Sequence, residues 1–438
     1  MKSFTAWMER HFVPVAAKIG SQKHLVAIRD AFIGIMPVTM AGAVATLLNV
    51  FLRDLPNEWW GEGNSFTTAL TPVISVNGNV WWGTLAILSL VFVFALGYNV
   101  AKVYKAPSLA GGVIAVASFI AVTPQGVSVT TEAGEVIGTW GNLGWTYLNA
   151  GGLFTALIVG LISSVIYSIL MNKKITIKLP ESVPPAVSKA FSAIIPGLIA
   201  IYLAATVGYL CTEYLGASLG DLIFENVQRP FLSLSQGLGS VLIVIIAVQL
   251  FWFFGIHGTN VLAPVLDGVY LTALTENNNL YLAGKPLKYL WTRGSFDAYV
   301  WMGGAGCTIA LIIAIFIFSK KEESKTVAKL SAPMGAFNIN EPVVFGMPIV
   351  LNPIYFIPWM IVPIILTIIA FGATAMGLVP PVFTTVPWVM PPIAYAFLAT
   401  GGSFTAALLA LVNLAIAVVI WGVFVIIANK VDLADVEE

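Results

Sequence analysis

The chain has 438 residues, 58% of them hydrophobic and only 10% charged, with a mean hydropathy of +0.90. A soluble domain carries roughly 25% charged residues, and the 21 basic and 21 acidic side chains cancel, so no basic field draws a phosphate backbone. An ordinary soluble enzyme, a disordered protein and a nucleic-acid binder are therefore excluded. At about 20 apolar residues per crossing, the composition predicts an all-α polytopic membrane protein of about ten transmembrane helices.

In chain order, Met1 to Asp30 is mixed and amphipathic, with Arg10, His11, Lys18, Lys23, His24 and Arg29. It is expected to lie on the membrane surface, without a cleavable signal peptide, and to lead into the first span. His11 and His24 read as solvated, and Arg29 with Asp30 as an anchor or ion pair. Apolar windows follow at Ala31–Leu52, Trp81–Ala101, Leu109–Val122, Gly151–Met171, Ala190–Leu210, Val241–Gly255, Met302–Phe318, Ile354–Phe371, Val382–Ala399 and Phe404–Ala428. Lipid leaves backbone groups no water to bond, so these windows should be helices, and none alternates as a barrel strand would. Glycines 401 and 402 mark a tight turn between the last two.

Orientation follows the Lys/Arg bias of short loops. The N-terminal segment, the Lys102–Lys105 connection and the Asn172–Lys189 loop are basic. Residues 53–80 hold one Arg against Asp54, Glu58 and Glu62, and residues 123–149 hold Glu132 and Glu135 with no Lys or Arg. This alternation predicts a cytoplasmic N-terminus. The run Lys320, Lys321, Lys325 and Lys329 should also be cytoplasmic.

The expected division is an N-terminal half, 1–218, and a C-terminal half, 219–438. The stretches 256–300 and 331–353 are too polar for plain spans and are expected to enter the membrane as broken or re-entrant pieces. Non-helical backbone at that depth is tolerated only around a protein-lined or watery cavity, and transporters build substrate sites there. Asp267 and Arg293 with Asp297 fall inside the first stretch and are expected to pair and hold it. Leu219–Gln236 reads either as a segment along the seam between the halves or as a short loop helix.

Two motifs carry chemistry. In Phe253–Asn260 (FFGIHGTN), His257 ends an apolar window between glycines, Gly258 among them, that let backbone approach a ligand. An imidazole exchanges a proton near neutral pH, and Thr259 and Asn260 suit sugar hydroxyls. The alternative is a histidine satisfied by a neighbouring helix. In Asn338–Gly346 (NINEPVVFG), Glu341 stands in an apolar setting, where a carboxylate at membrane depth costs about 3 kcal/mol. Pro342 breaks the helix, and Asn338 and Asn340 bring amides to the same place. The alternative is a helix-capping acid. Indoles stack on pyranose faces, which singles out Trp252 and Trp388, although Trp also anchors membrane interfaces. Asn79, in Val76–Asn79, edges a ligand cavity or forms a plain turn. Cys211 and Cys307 read as buried small residues; no metal-binding group, phosphate loop or cofactor motif is present.

FFGIHGTN and NINEPVVFG, with the opening KIGSQKHLVAIRDAFIGIMPVTMAGA, resemble the membrane-embedded EIIC component of the bacterial sugar phosphotransferase system, in its lactose/cellobiose/diacetylchitobiose branch. The resemblance covers essentially the whole chain. It implies a homodimer in the bacterial cytoplasmic membrane, in contact with lipid, with two re-entrant hairpins. The first half is then the dimer interface and the second holds a disaccharide of the diacetylchitobiose or cellobiose type. It also implies that His257 and Glu341 lie near the sugar 6-hydroxyl and that Trp252, and less closely Trp388, contact the sugar. A phosphocysteine on EIIB is then the phosphoryl donor; EIIB and EIIA are expected as separate proteins, since the chain closes soon after its last span. A proton-coupled disaccharide symporter, with Glu341 carrying the proton, is the alternative. An intramembrane enzyme acting on a lipid-linked sugar is a third reading, for which no second acid is evident.

Overall fold

The computed structural model describes residues 21–130, 136–180, 182–347 and 349–429. Arg10, His11, Lys18, Glu132, Glu135 and the tail beyond Asn429 lie outside them. The described chain is mostly helical, as lipid requires. In the first half the principal helices are α1 (Lys23–Gly34), α2 (Met36–Asn49), α3 (Thr71–Trp82), α4 (Leu88–Val103), α5 (Ser108–Ala121), α6 (Leu153–Asn172) and α7 (Pro185–Leu215). In the second they are α8 (Leu238–Phe253), α9 (Gly258–Val261), α10 (Leu271–Leu282), α11 (Arg293–Tyr299), α12 (Thr308–Phe318), α13 (Glu322–Gly335), α14 (Glu341–Gly346), α15 (Pro353–Ala375) and α16 (Phe404–Ala428).

Helix α4 is the hub of the first half, packed against α1, α5 and α6, with α7 laid over α5 and α6. Phe92, Leu96 and Phe119 fill that core. In the second half α16 packs on α12 and α15, α15 on α8, and α12 on α13, around Trp291, Trp359, Trp421 and Phe296. The cores meet at few points: Leu47, Val50 and Leu55 join the second, and Ala263 the first.

Among the described residues six helical stretches are long and apolar enough to cross a membrane: Met36–Asn57, Thr71–Val103, Ala150–Asn172, Pro185–Leu215, Pro353–Ala375 and Phe404–Ala428. A seventh results if Leu219–Ser235 and Leu238–Phe253, which bend by 84° at their junction, count as one. This falls short of ten for definite reasons. Helices α5 and α12 reach only about 21 and 17 Å at 1.5 Å per residue, against a hydrocarbon core of about 30 Å. The apolar window Val382–Ala399 is not a span: Pro387, Pro391 and Pro392 remove donors, and only Ala394–Ala399 is helical.

Three further expectations are corrected. The connection before the second span is helical from Thr71, because Asn77 turns inward and its Nδ2 donates to Asn49 Oδ1 (2.9 Å) across α2 and α3. Asn79 is therefore on a helix, not in a turn. Within residues 123–149 a two-stranded antiparallel hairpin forms, β1 (Gly126–Thr130) with β2 (Val136–Trp140). His24 is not simply solvated, since its Nε2 hydrogen-bonds Tyr104 Oη at 2.8 Å.

The stretch 256–300 is broken, into α9, a π-helical turn at Leu266–Tyr270, α10 and α11. Arg293 locks it, with Nε 3.1 Å from Asp267 and Nη1 2.7 Å from Asp297. Stretch 331–353 breaks between α13 and α14. Arg29 and Asp30 pair at 2.8 Å, both cysteines are buried, and Gly401 and Gly402 turn the chain at φ 69° and 95°.

Candidate functional site

The site begins where α8 ends. Past Phe253 the chain turns at Gly255, in the left-handed region (φ 74°), and doubles back. Gly258 makes that return possible: a Cβ there would lie 2.1 Å from the Val248 carbonyl oxygen. Gly258 is thus buried against α8. The return sets the His257 ring 4.4 Å from the Trp252 ring, tilted 45°. Trp252 is only 3% exposed.

His257 is also the N-cap of α9. Its Nδ1 accepts the Asn260 backbone N–H (3.3 Å) and lies 3.0 Å from Thr259 Oγ1. An amide N–H can only donate, so Nδ1 is an acceptor and the neutral imidazole carries its proton on Nε2. That Nε2 faces Glu341 Oε1 at 3.6 Å, an ion-pair distance longer than a hydrogen bond. The two side chains are 38% and 45% exposed, so the pair is reachable.

Glu341 opens α14, with Pro342 at the second position, where its missing N–H costs nothing. It lies outside the six candidate spans. Both preceding asparagines are structural anchors. Asn338 sits at φ 62° and is nearly buried; its Oδ1 accepts Gly303 N–H (2.7 Å), and its Nδ2 donates to the Trp388 (2.6 Å) and Met390 (2.9 Å) carbonyls. Asn340 Nδ2 donates to the Ala305 carbonyl at 3.2 Å. Gly304 (φ 101°) leaves the room, because a Cβ would stand 2.6 Å from Asn340 Cβ.

The structure therefore gathers two groups. Trp252, Gly258, Thr259 and Asn260 surround His257, while Asn338, Asn340 and the Trp388 backbone brace Glu341, and the 3.6 Å approach joins the groups. Asn79 is exposed on α3 and makes no hydrogen bond to any of these segments among the described residues. Sequence reading missed Trp359, whose Nε1 donates to the Gln249 carbonyl (2.9 Å) and ties α15 to α8 one turn before Trp252. Nothing local to Trp359 signals that role. Among the described residues no group of three or more His, Cys, Asp or Glu side chains is placed to hold a metal ion.

Comparison with known proteins bears directly on this pair. The family described as "Phosphotransferase system, EIIC" matches residues 29–363. The cellobiose-specific EIIC component of Lactococcus lactis subsp. lactis (strain IL1403) is 43% identical, with 100% of both chains covered. The oligo-beta-mannoside-specific EIIC component of Bacillus subtilis (strain 168) is 34% identical over 98% of this chain and 95% of that one. The crystal structure of the transporter ChbC, the IIC component from the N,N'-diacetylchitobiose-specific phosphotransferase system, superposes with a TM-score of 0.89 at 32% identity, covering 98% and 99% of the two chains. The chain belongs to the EIIC family and is a membrane sugar permease of the phosphotransferase system.

Proposed function

We propose that this permease carries a disaccharide of the cellobiose or diacetylchitobiose type across the bacterial cytoplasmic membrane and presents its 6-hydroxyl to the His257–Glu341 pair. The specificities of the relatives support the substrate class. A phosphocysteine on a separate EIIB, itself charged through EIIA, supplies the phosphoryl group. The observation that carries the reading is the 3.6 Å approach of His257 Nε2 to Glu341 Oε1, reachable and beside an indole.

The geometry favours a division of labour. With Nδ1 occupied by the Asn260 N–H, the neutral imidazole offers Nε2–H and cannot take a proton there. It orients the carboxylate, and Glu341 accepts the proton of the 6-hydroxyl. The sugar oxygen then forms the new O–P bond as the S–P bond of the phosphocysteine breaks and the thiolate leaves. Such transfer needs chiefly in-line positioning and charge stabilisation. Once Glu341 has given that proton up to water, its carboxylate repels the product, which bears nearly two negative charges, and the product is released to the cytoplasm.

In this reading the N-terminus is cytoplasmic, α5 and α12 and the broken stretches 256–300 and 331–353 complete the membrane layout, and two copies assemble through the first half, 1–218. Support for the last comes from α7, whose apolar window is only 22% buried within one chain. The test is phosphoryl transfer from phospho-EIIB to the disaccharide by purified protein. Glu341→Gln should lower the rate by about 10²–10⁴-fold, the range for losing a general base; transfer at the parent rate overturns the assignment.

A further inference from the structure

We propose that the corner of the first half where α1 begins and α4 and α6 end binds an anionic phospholipid, its headgroup phosphate among Lys23, Lys102, Lys105, Lys173 and Lys174 and an acyl chain along α5. The inference goes beyond the transport reading and shares with it only the orientation that puts these lysines on the cytoplasmic side.

One residue gathers the corner. Tyr104 follows α4; its Oη hydrogen-bonds His24 Nε2 at 2.8 Å, and its ring centroid lies 3.8 Å from Lys23 Nζ. Its carbonyl accepts Asn172 Nδ2, from the last residue of α6, at 2.9 Å. Lys102 and Lys105 flank Tyr104, and Lys173 and Lys174 follow Asn172, so three distant segments bring five lysines together. All five are exposed as the chain stands, and none has a carboxylate partner among the described residues. Residues 21–29, 102–109 and 172–180 contain no Asp or Glu.

The Lys/Arg bias asks only for cations somewhere on the inner face. It does not explain where two of these sit. Lys105 and Lys174 stand just past their helices in the left-handed region, at φ 60° and 59°, which glycine adopts freely and other residues only at a cost. With lysine at both positions in place of glycine, the backbone bears strain and the corner gains two charges.

The neighbouring surface is apolar in the way a lipid needs. Leu109, four residues after Lys105, and Val113, one turn further along α5, fall at i and i+4 on one helix face and are 66% and 55% exposed. This stripe runs from the lysines along the helix axis toward the hydrocarbon core. Ile175, beside Lys174, is exposed as well. A free phosphate would use the lysines alone, and a soluble partner protein would not reach the α5 stripe; a phospholipid matches both parts. Basic pockets at the cytoplasmic ends of membrane helices bind anionic headgroups on this pattern.

The test titrates the full chain, in a nonionic detergent, with phosphatidylglycerol or phosphatidylcholine and counts bound lipid by native mass spectrometry. The parent should bind phosphatidylglycerol more tightly by about tenfold or more. Lys105→Gly with Lys174→Gly removes two cations at positions whose backbone glycine adopts without strain, so the fold should hold and phosphoryl transfer should stay at the parent rate. Phosphatidylglycerol affinity should nevertheless fall about 25-fold, at about fivefold per lysine near an anionic headgroup. Lys105→Gln with Lys174→Gln, which removes the charges and keeps the strain, should lose as much. Glycerol 3-phosphate, a headgroup without chains, should not displace the lipid at equal concentration. Equal displacement would make the corner a free-anion site and overturn the proposal. An affinity unchanged in both double variants, or no preference over phosphatidylcholine in the parent, would also overturn it. So would a raised KM for phospho-EIIB with lipid binding intact, which would give the lysines to protein docking.

Discussion

Asn338→Ala tests the brace behind Glu341. The substitution removes three hydrogen bonds at once, those to Gly303 N–H, the Trp388 carbonyl and the Met390 carbonyl, at 2.7, 2.6 and 2.9 Å. Each stranded backbone group costs about 1 kcal/mol or more when buried, so the three contribute about 3 kcal/mol. Alanine must also hold the left-handed backbone that asparagine tolerates at φ 62°, which adds about 1 kcal/mol. The sum is about 4 kcal/mol, or a fall in Tm of about 8 °C at ~2 °C per kcal/mol. Because the lost bonds hold the Trp388 segment to the Glu341 segment, disaccharide affinity should fall with stability. Asn338→Gly relieves the backbone strain but not the lost bonds, so it should still bind weakly. The assays are thermal melting in detergent and calorimetric titration with cellobiose. A variant Asn338→Ala that melts within 1 °C of its parent (about a tenth of the expected shift) and binds cellobiose equally would refute the brace.

Other predictions address the His257 side. Gly258→Ala places a methyl 2.1 Å from the Val248 carbonyl, so folded yield should collapse, read as the monodisperse fraction on size exclusion; normal yield would show that α9 does not need its close return. Thr259→Val removes the hydroxyl 3.0 Å from His257 Nδ1 and should slow phosphoryl transfer about 5-fold, the worth of one hydrogen bond, with Thr259→Ser near parent; equal rates in both would detach Thr259 from the imidazole. His257→Ala removes the group that orients the Glu341 carboxylate and should lower transfer about 10²-fold, the cost of misplacing a reacting group by about 1 Å, and a parent-like rate would leave Glu341 acting alone.

How far the sequence predicts the molecule depends on which forces are local. Where an uninterrupted apolar run meets lipid, hydropathy suffices: the window Phe404–Ala428 coincides with α16. It fails at Val382–Ala399, where counting apolar residues ignores three prolines. It also fails at Thr71–Trp82, where Asn77 is polar yet satisfied by Asn49 from another helix, a pairing that hydropathy cannot see. The hairpin at Gly126–Trp140 carries alternation, but only over five residues a strand. At the site, His257 and Glu341 stand out by their chemistry in apolar surroundings, and their convergence came from the resemblance. Asn338 was legible as a polar group near Glu341 but not as the residue holding Gly303, Trp388 and Met390, because those partners are distant in sequence. In the sequence Gly258 implies a backbone close to a ligand, whereas the backbone it admits is Val248.

The account stands on Glu341 touching the hydroxyl that is phosphorylated. The most direct measurement is a cycle of four dissociation constants: cellobiose and its analogue lacking that 6-hydroxyl, each with the parent and with Glu341→Gln. A hydrogen bond to a charged group is worth about 1.5–3 kcal/mol, so deleting the hydroxyl should weaken the parent about 10–100-fold and the variant far less. Equal losses in both proteins would contradict the account.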